Sequence, residues 1–353
     1  MPLALTGCAG DDAVEGEGPV TVYLSLPLRG PSGGDGQDAA DGARLALADA
    51  GGEAGGREVT ATFLDDTRGA GDDARWTPAQ AAANARQATQ DSTTIAYIGD
   101  FESGATRSSL PITNEARLLQ VSPASSAVDL VAPFPGSDDV PDVQASGERT
   151  FGRVIPSDEA QGEAAAAWTV QLGYRRVAVE TDRSAFGEVL ADAYANAAET
   201  LSLVGAGETV GLTYLAGTPG FSDGRAMGSD AYLSSPVEGQ PSLATSTALD
   251  PSQLPPPGQE FVERFGAEYG REPGRYAAYG YEAMAVVLDS VERAGNGGTD
   301  REAVIDAFFD TQERDSMLGT YSIDEVGDTT LDLLTGYRIA DGRVRPVAEL
   351  AVP

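Results

Sequence analysis

The sequence predicts an α/β protein made of two doubly wound lobes with parallel sheets. From Val20 onward, short apolar runs alternate with alanine-rich amphipathic segments, which is the pattern of a parallel sheet covered by helices on both faces. The alternation stops at a stretch rich in Pro, Gly, Ser and Asp and then starts again. With 353 residues, the chain is also long enough to build two cores of ordinary domain size.

The first lobe is predicted from an alternating series of strand-like and helical segments. Residues 20–28 form an apolar run that ends in a Pro- and Gly-rich turn, and the residues at 43, 46, 47 and 50 then share one helix face. Residues 78–90 read as an alanine-rich helix. The further strands are expected at 59–64, 94–98 and 118–121.

The second lobe follows a loop with little periodicity. Residues 151–156 lead into a helix with Ala164, Trp168 and Leu172 on one face, a strand at 176–180 and a helix at 186–202. Later amphipathic helices, one of them with aromatic residues at 261, 265 and 269, have no strands between them. We therefore expect the chain to return to the first lobe there. The predicted boundaries are 1–19 for an N-terminal tether, 20–125 and 237–320 for the first lobe, 126–150 for a crossover loop, and 151–236 and 330–353 for the second lobe.

The charge of the chain excludes one class of partner. The 23 basic and 55 acidic residues give a net charge of −32, and all of the basic residues are arginine. So acidic a surface repels the phosphates of nucleic acids and anionic lipid headgroups. We expect no nucleic-acid partner.

The composition also excludes several kinds of catalysis. The chain contains neither histidine nor lysine, so it lacks Ser-His-Asp and Cys-His systems, His-ligated zinc, Schiff-base catalysis and the Walker A lysine. A carboxylate pair or an oxygen-ligand metal site is the remaining alternative. The acidic pairs 65–66 and 72–73 are expected to be solvated loops, and 324–328 is expected to be a turn because it lacks the EF-hand spacing. We expect no enzyme activity, cofactor or metal.

Cys8 is the only cysteine, and it ends the run Leu-Thr-Gly-Cys at 5–8 before a Gly- and acid-rich stretch. This arrangement resembles the lipobox of bacterial lipoproteins, in which the cysteine thiol carries a diacylglycerol and becomes the mature N-terminus. The preceding residues lack the n-region and h-region of a full signal peptide, so an accidental match is the alternative. The resemblance implies an extracytoplasmic protein that is lipid-anchored to the cell membrane through Cys8.

The order of several further motifs resembles the type I periplasmic binding proteins, specifically the branched-chain amino-acid (Leu/Ile/Val) binding proteins of ABC importers. The resemblance covers nearly the whole chain from Val20. It rests on LPLRGPSG at 26–33, GARLA at 42–46, IGD at 98–100 followed by Ser103, VSPASS at 121–126, TDRSAFG at 181–187, YGYEAM at 279–284 and GTYSIDEVGD at 319–328.

These motifs indicate where a ligand would bind. In an open α/β sheet, ligands bind beyond the carboxyl ends of the strands. Ser103 and Gly104 follow the third strand and begin a helix, whose free N–H groups and dipole favour a carboxylate. The resemblance implies that Ser103, Ala124 and Ser126 hold the carboxylate and ammonium of an amino acid, and that Phe186 closes over the ligand. Tyr276 completes the candidate set. The alternatives are an ordinary helix N-cap for Ser103 and a core position for Phe186.

The sequence departs from this family in the second lobe. Where these proteins often carry an acidic residue that pairs with the ligand ammonium, this chain has Gly-Thr-Pro-Gly at 217–220, and Asp35 or a neighbouring glycine replaces an aromatic residue of the first loop. The second lobe is also predicted to be shorter by about one βα unit, roughly 30 residues. We therefore expect a ligand that is less strictly an aliphatic α-amino acid.

The sequence thus predicts a monomeric lipoprotein that captures a small polar, carboxylate-bearing ligand between two lobes and delivers it to an ABC permease. Two alternatives stay open. One is a sensor of the same fold that binds an amide or amino acid, and the other is a degenerate surface lipoprotein that binds nothing.

Overall fold

The structure is a computed structural model, and it describes residues 18–132, 144, 146–205, 211–217, 225–233 and 241–353. Cys8 lies outside the described residues. The helices are α1 (Gly33–Asp49), α2 (Pro78–Gln90), α3 (Ser103–Glu115), α4 (Asp158–Gln171), α5 (Ala185–Thr200), α6 (Pro256–Tyr269), α7 (Ala277–Arg293) and α8 (Arg301–Phe309).

The strands form two large sheets and two short hairpins. They are β1 (Val20–Leu26), β2 (Glu53–Ala54), β3 (Arg57–Asp65), β4 (Thr67–Arg68), β5 (Arg75–Trp76), β6 (Thr94–Gly99), β7 (Leu119–Ser122), β8 (Phe151–Arg153), β9 (Arg176–Thr181), β10 (Val204–Gly205), β11 (Leu212–Ala216), β12 (Ala226–Gly228), β13 (Leu243–Ser246), β14 (Arg314–Ser316), β15 (Gly319–Tyr321), β16 (Leu333–Ala340) and β17 (Arg343–Ala351).

The first sheet has the order β2-β3-β1-β6-β7-β8 and is parallel except for the edge pair β2 and β3. Alternate residues of β1 face opposite sides: Val22 and Leu24 join a core with α1, α6, α7 and α8, while Tyr23 packs with Ala85 and Ala88 of α2. This sheet is therefore doubly wound, as predicted.

The second sheet has the order β10-β9-β11-β12-β13-β16-β17. Its first five strands are parallel, and β16 and β17 add an antiparallel hairpin at one edge. Helices α4 and α5 bury Trp168 and Tyr194 on one face, while Leu215, Tyr232 and Tyr337 form a smaller cluster. The predicted α/β fold with two lobes is confirmed.

The predicted domain boundaries assign two strands to the wrong lobe. The short strand β8 extends the first sheet through parallel pairing with β7, and β13 pairs with β12 in the second sheet although it falls within 237–320. Both strands have only three or four residues, so their apolar pattern carries no information about which sheet they join.

The connection from β11 to β12 bears on the predicted shortening of the second lobe. These strands are parallel neighbours, and only residues 217–225 lie between them. A crossover between parallel strands normally takes about a dozen residues or more, usually with a helix. The short connection is in line with a lost βα unit, which stays a prediction because residues 218–224 lie outside the described part.

The acidic pairs behave differently from each other. Asp72 and Asp73 are exposed, as expected for a loop, but Asp66 is 0% exposed at the end of β3. The expectation of a solvated loop was wrong for Asp66, which is buried next to the chain leading into α2: its carbonyl accepts the Thr77 N–H at 3.2 Å. The predicted turn at 324–328 is confirmed: the Asp324 carboxylate accepts backbone N–H bonds from residues 326, 327 and 328 at 2.8 to 2.9 Å.

Candidate functional site

A cleft of about 370 Å³ lies between the two lobes. The first lobe contributes loops that follow β1, β5, β6 and β7, and the second lobe contributes the first turns of α4 and α5 and the segment after β12. Both sheets therefore present the carboxyl ends of their strands to the same space, which is where open α/β sheets bind ligands. The residues that line the cleft include Asp35, Trp76, Glu102, Ser103, Gly104, Arg107, Ala124, Ser126, Asp158, Phe186, Asp230, Ala231, Arg275 and Tyr276.

All of the candidate residues named from the sequence lie on this cleft. They are Ser103, Gly104, Ala124, Ser126, Phe186 and Tyr276. They come from both lobes and from the connection before α7, so the fold brings together residues that lie far apart in the sequence. Their role in binding a ligand stays a prediction.

Helix α3 begins at Ser103 with its N-terminus at the cleft. Glu102 occupies the N-cap position without a side-chain cap bond, so the alternative assignment of Ser103 as an ordinary N-cap was wrong. The Ser103 Oγ instead accepts a hydrogen bond of 3.3 Å from the Ala127 N–H, which fixes the neighbouring loop. The N–H groups of Ser103 and Gly104 belong to the first turn, where no intrahelical acceptor exists. They are available to an anion.

The loop after β7 is held by its own hydroxyl groups. The Ser122 Oγ accepts N–H bonds from Ala124 at 3.2 Å and Ser125 at 2.9 Å, and it donates to the Asp100 carbonyl at 2.7 Å. The Ala124 N–H is therefore already used within the loop. Of the backbone groups of Ala124, only the carbonyl remains for a ligand.

Aromatic side chains form part of both walls. Phe101 and Tyr276 pack edge to face with ring centroids 4.6 Å apart, and Tyr276 is 6% exposed. Trp76 lies over Gly104, where an added Cβ would come within 2.6 Å of the indole ring. Phe186 lines the cleft and also packs against the core of the second lobe, while its closing over a ligand stays a prediction.

Carboxyl groups reach the cleft from both lobes. Asp35 and Glu102 belong to the first lobe, and Asp158 and Asp230 belong to the second. The loop at 217–220 has no acid for a ligand ammonium, as noted from the sequence. Asp158 opens α4 and Asp230 follows β12, so acids outside that loop line the second-lobe side of the cleft.

The pKa values of these acids are raised. Burial raises the pKa of Asp158 to about 7, against the effect of a hydrogen bond with the Ser126 side chain. Burial also raises the pKa of Glu102, although the Ser32 hydroxyl donates to it at 2.8 Å. The pKa of Asp230 is raised by burial and lowered in part by the charge of Arg275. Each carboxylate would gain from a cation nearby.

Two arginines line the same space. Arg275 lies 3.3 Å from Asp35, and its Nε has no hydrogen-bond partner. Arg107 donates through Nε to Asp129 at 2.5 Å and through a second nitrogen to the other oxygen of the same carboxylate. Arg107 is therefore held in an ion pair with Asp129, although its charge also lowers the pKa of Asp158.

Sequence reasoning missed most of the charged lining residues. Glu102, Asp158, Asp230 and Arg275 were not singled out, because acids are so frequent in this chain that composition does not distinguish a buried one. One signal was available for Asp158 and Asp230, since each comes shortly after a strand at the carboxyl edge of a sheet. Within the described ranges, no group of three or more acidic or thiol side chains is arranged to hold a metal ion.

This arrangement defines a class of protein that encloses a small molecule between two α/β lobes. The family model for periplasmic binding proteins matches residues 19–222, which is more than half of the chain, and the protein belongs to this family. The resemblance drawn from the sequence is confirmed for the family and the fold. Membership in a family of binding proteins agrees with the expectation that the chain is not an enzyme.

Several solved structures share the fold. The leucine-binding protein of Thermotoga maritima MSB8 is 24% identical, with a TM-score of 0.73 over 94% of this chain and 99% of its own. An ABC transporter substrate-binding protein of Desulfitobacterium hafniense in complex with leucine is 20% identical, with a TM-score of 0.73 over 94% and 100% of the two chains. A solute-binding protein of R. palustris in complex with benzoate is 16% identical, with a TM-score of 0.70 over 95% and 97%. No curated protein sequence matches this chain.

Proposed function

We propose that this protein is an extracytoplasmic solute-binding lipoprotein that captures a small polar, carboxylate-bearing compound between its lobes for an ABC importer. The observation that carries the proposal is the cleft, in which the N-terminus of α3 faces acidic and aromatic side chains of the second lobe. Closure of the lobes would give the importer a surface that differs from that of the open protein. The relatives crystallised with leucine and with benzoate support a carboxylate-bearing ligand.

A thermal-shift screen of amino acids and aromatic acids tests whether the cleft binds a solute. A ligand that binds only the folded state stabilises it, by about 2.7 kcal/mol at a ligand concentration of a hundred times Kd, and therefore raises Tm. The variant Ala231→Trp fills the cleft from an exposed position and should abolish the shift, whereas Ala79→Trp, on the exposed side of α2, should leave it intact. Equal ligand-induced shifts in both variants would place the binding site elsewhere.

An experiment in cells is needed to distinguish transport from sensing, because both functions use the same cleft. Deletion of the gene should abolish uptake of the compound found in the screen. Normal uptake with loss of a transcriptional response would favour the sensor alternative. The defined cleft argues against the degenerate, non-binding alternative, and size-exclusion chromatography checks the expected monomer.

The lipid anchor is proposed from the sequence around Cys8. No helix in the described ranges is long and apolar enough to cross a bilayer. Diacylglycerol on the Cys8 thiol supplies two acyl chains, which anchor more firmly than one. Cys8→Ala expressed from the native gene should move the protein from the membrane fraction to the soluble fraction, and equal membrane association of both forms would contradict the anchor.

A further inference from the structure

We propose that the compound bound in the cleft carries a net positive charge, as a basic amino acid or another organic amine does, and that the Asp158 carboxylate holds its ammonium group. The proposal rests on the solute-binding function and specifies the substrate class. It is independent of the identity of the transporter. Three properties of the cleft support it: an unpartnered carboxylate oxygen, an excess of acidic groups, and a backbone site for a carboxylate.

The first property is the state of Asp158. Asp158 is 2% exposed and lines the cleft, and its Oδ1 has no hydrogen-bond partner. The Ser126 carbonyl accepts the Asp158 N–H at 2.9 Å, and the Ser126 side chain lowers the pKa of the Asp158 carboxyl group. A buried acceptor without a donor lowers the free energy of unfolding, and a hydrogen bond from a charged donor offsets that penalty. An ammonium group in the cleft provides three such donors.

The second property is the charge of the wall. Among the described residues that line the cleft, the four carboxyl groups of Asp35, Glu102, Asp158 and Asp230 outnumber the two guanidinium groups, and the charge of Arg153 also acts on Asp158 from outside the lining. Arg107 is engaged by Asp129, and Arg275 is bonded to Asp35. Neither Glu102 nor Asp158 forms an ion pair with any described residue.

The residues that the structure does not describe add no positive charge to the chain. All 23 basic residues of the chain lie in the described ranges. No further arginine or lysine is therefore present in residues 218–224 or 234–240. A ligand of net positive charge matches this wall and favours the ionised form of its buried carboxyl groups, which a neutral or anionic ligand does not.

The third property sets the polarity of the bound compound. The first-turn N–H groups of Ser103 and Gly104 suit a carboxylate. A molecule with one carboxylate and two amines satisfies both ends and leaves a net charge that the acidic wall favours. Basic amino acids have this composition.

A matched series of compounds tests the proposal on the full chain by isothermal titration calorimetry. L-Lysine and L-norleucine differ only by the terminal amine, and cadaverine is lysine without its carboxylate. We expect lysine to bind at least about tenfold more tightly than norleucine. Asp158→Asn should remove that preference, and Glu102→Gln should reduce it. Asp192→Asn, which removes the same charge from an exposed position on α5, should leave it unchanged. Tm values of all variants verify folding.

The possible outcomes separate this proposal from the general function. Norleucine, leucine or benzoate binding as tightly as lysine would overturn the cationic ligand while leaving a solute-binding protein. A lysine preference that persists in Asp158→Asn would overturn the role of Asp158. Equal affinity for cadaverine and lysine would support the cation and contradict the carboxylate subsite. Absence of binding by every compound, including the screened acids, would overturn the solute-binding function with it.

Discussion

The N–H group of Asp158 donates a 2.9 Å hydrogen bond to the carbonyl oxygen of Ser126. Ser126 follows the fourth parallel strand of the first lobe, and Asp158 opens the first helix of the second lobe. The bond therefore joins the lobes at the floor of the cleft. The Ser126 side chain also lowers the pKa of the Asp158 carboxyl group, and both residues line the cleft.

The affinity for a cationic ligand should depend on pH through Asp158. Burial raises its pKa to about 7, Asp230 adds to the rise, and Ser126, Arg153 and Arg107 oppose it. Only the ionised carboxylate pairs with an ammonium, so lysine affinity should rise from about pH 6 to 8 and then level off. Calorimetry across this range measures the change. A profile equally steep in Asp158→Asn would assign it to another group.

Asp66 should destabilise the protein at alkaline pH. It is 0% exposed, neither of its carboxyl oxygens has a partner, and burial raises its pKa from 3.8 to about 8, with further contributions from Asp100, Asp65 and Glu102. Between these values the unfolded chain releases the proton while the folded protein keeps it. The free energy of unfolding therefore falls as pH rises through this interval. Asp66→Asn, which stays neutral, should raise Tm at about pH 8 and change it less at about pH 5.

The neighbouring Asp65 provides a control of opposite sign. Its burial raises the pKa, but hydrogen bonds from Thr67 and Arg29 outweigh burial and leave the pKa lowered. Its ionised form therefore stabilises the folded state, and Asp65→Asn should lower Tm at about pH 8. A lower Tm for Asp66→Asn as well at that pH would contradict the assignment of Asp66 as a buried, protonated acid.

Close packing of α1 against α7 depends on glycine. A Cβ at Gly42 would lie 1.9 Å from the Ala277 carbonyl oxygen, and a Cβ at Gly280 would lie 2.0 Å from that of Ala39. Gly42→Ala should lower the free energy of unfolding by about 1–3 kcal/mol or more, since overpacking forces the helices apart. Gly34→Ala, at an exposed position of the same helix with nothing within 4 Å, is the matched control. Denaturant unfolding that ranks the two variants equally would contradict this packing.

Much of the fold could be predicted because its signals are local. The apolar run from Val20 and the helix at 78–90 carry their own periodicity, and both elements form close to the predicted bounds. The strand at 151–153 could not be assigned to the first sheet, since three residues carry no pattern and the pairing with Leu119–Ser122 is a long-range contact. The hydrophobic pattern identifies elements but not their neighbours.

The candidate site could also be predicted only where the signal was local. Ser103 and Ser126 could be named because each follows a strand at the carboxyl edge of a sheet, where a parallel fold places its ligands. Asp158 and Glu102 could not be separated from the other acids of a chain with 55 of them. Asp158 combines burial and an oxygen without a partner with a place in the lining of the cleft, and the sequence alone does not show these properties.

The paired substitution Ser103→Ala and Ser126→Ala should weaken ligand binding more than it affects folding. Each serine that loses a hydrogen bond to a charged ligand group should cost about 1.5–3 kcal/mol of binding free energy. The loss of the Ser126 hydroxyl also removes a bond that lowers the pKa of Asp158, so the midpoint of the pH profile should move upward. Calorimetry at several pH values measures both effects, and Ser108→Ala, on the same helix but not among the cleft-lining residues, is the control. Unchanged affinity in the double variant would remove both serines from the site, whereas lost affinity with an unmoved midpoint would separate Ser126 from Asp158.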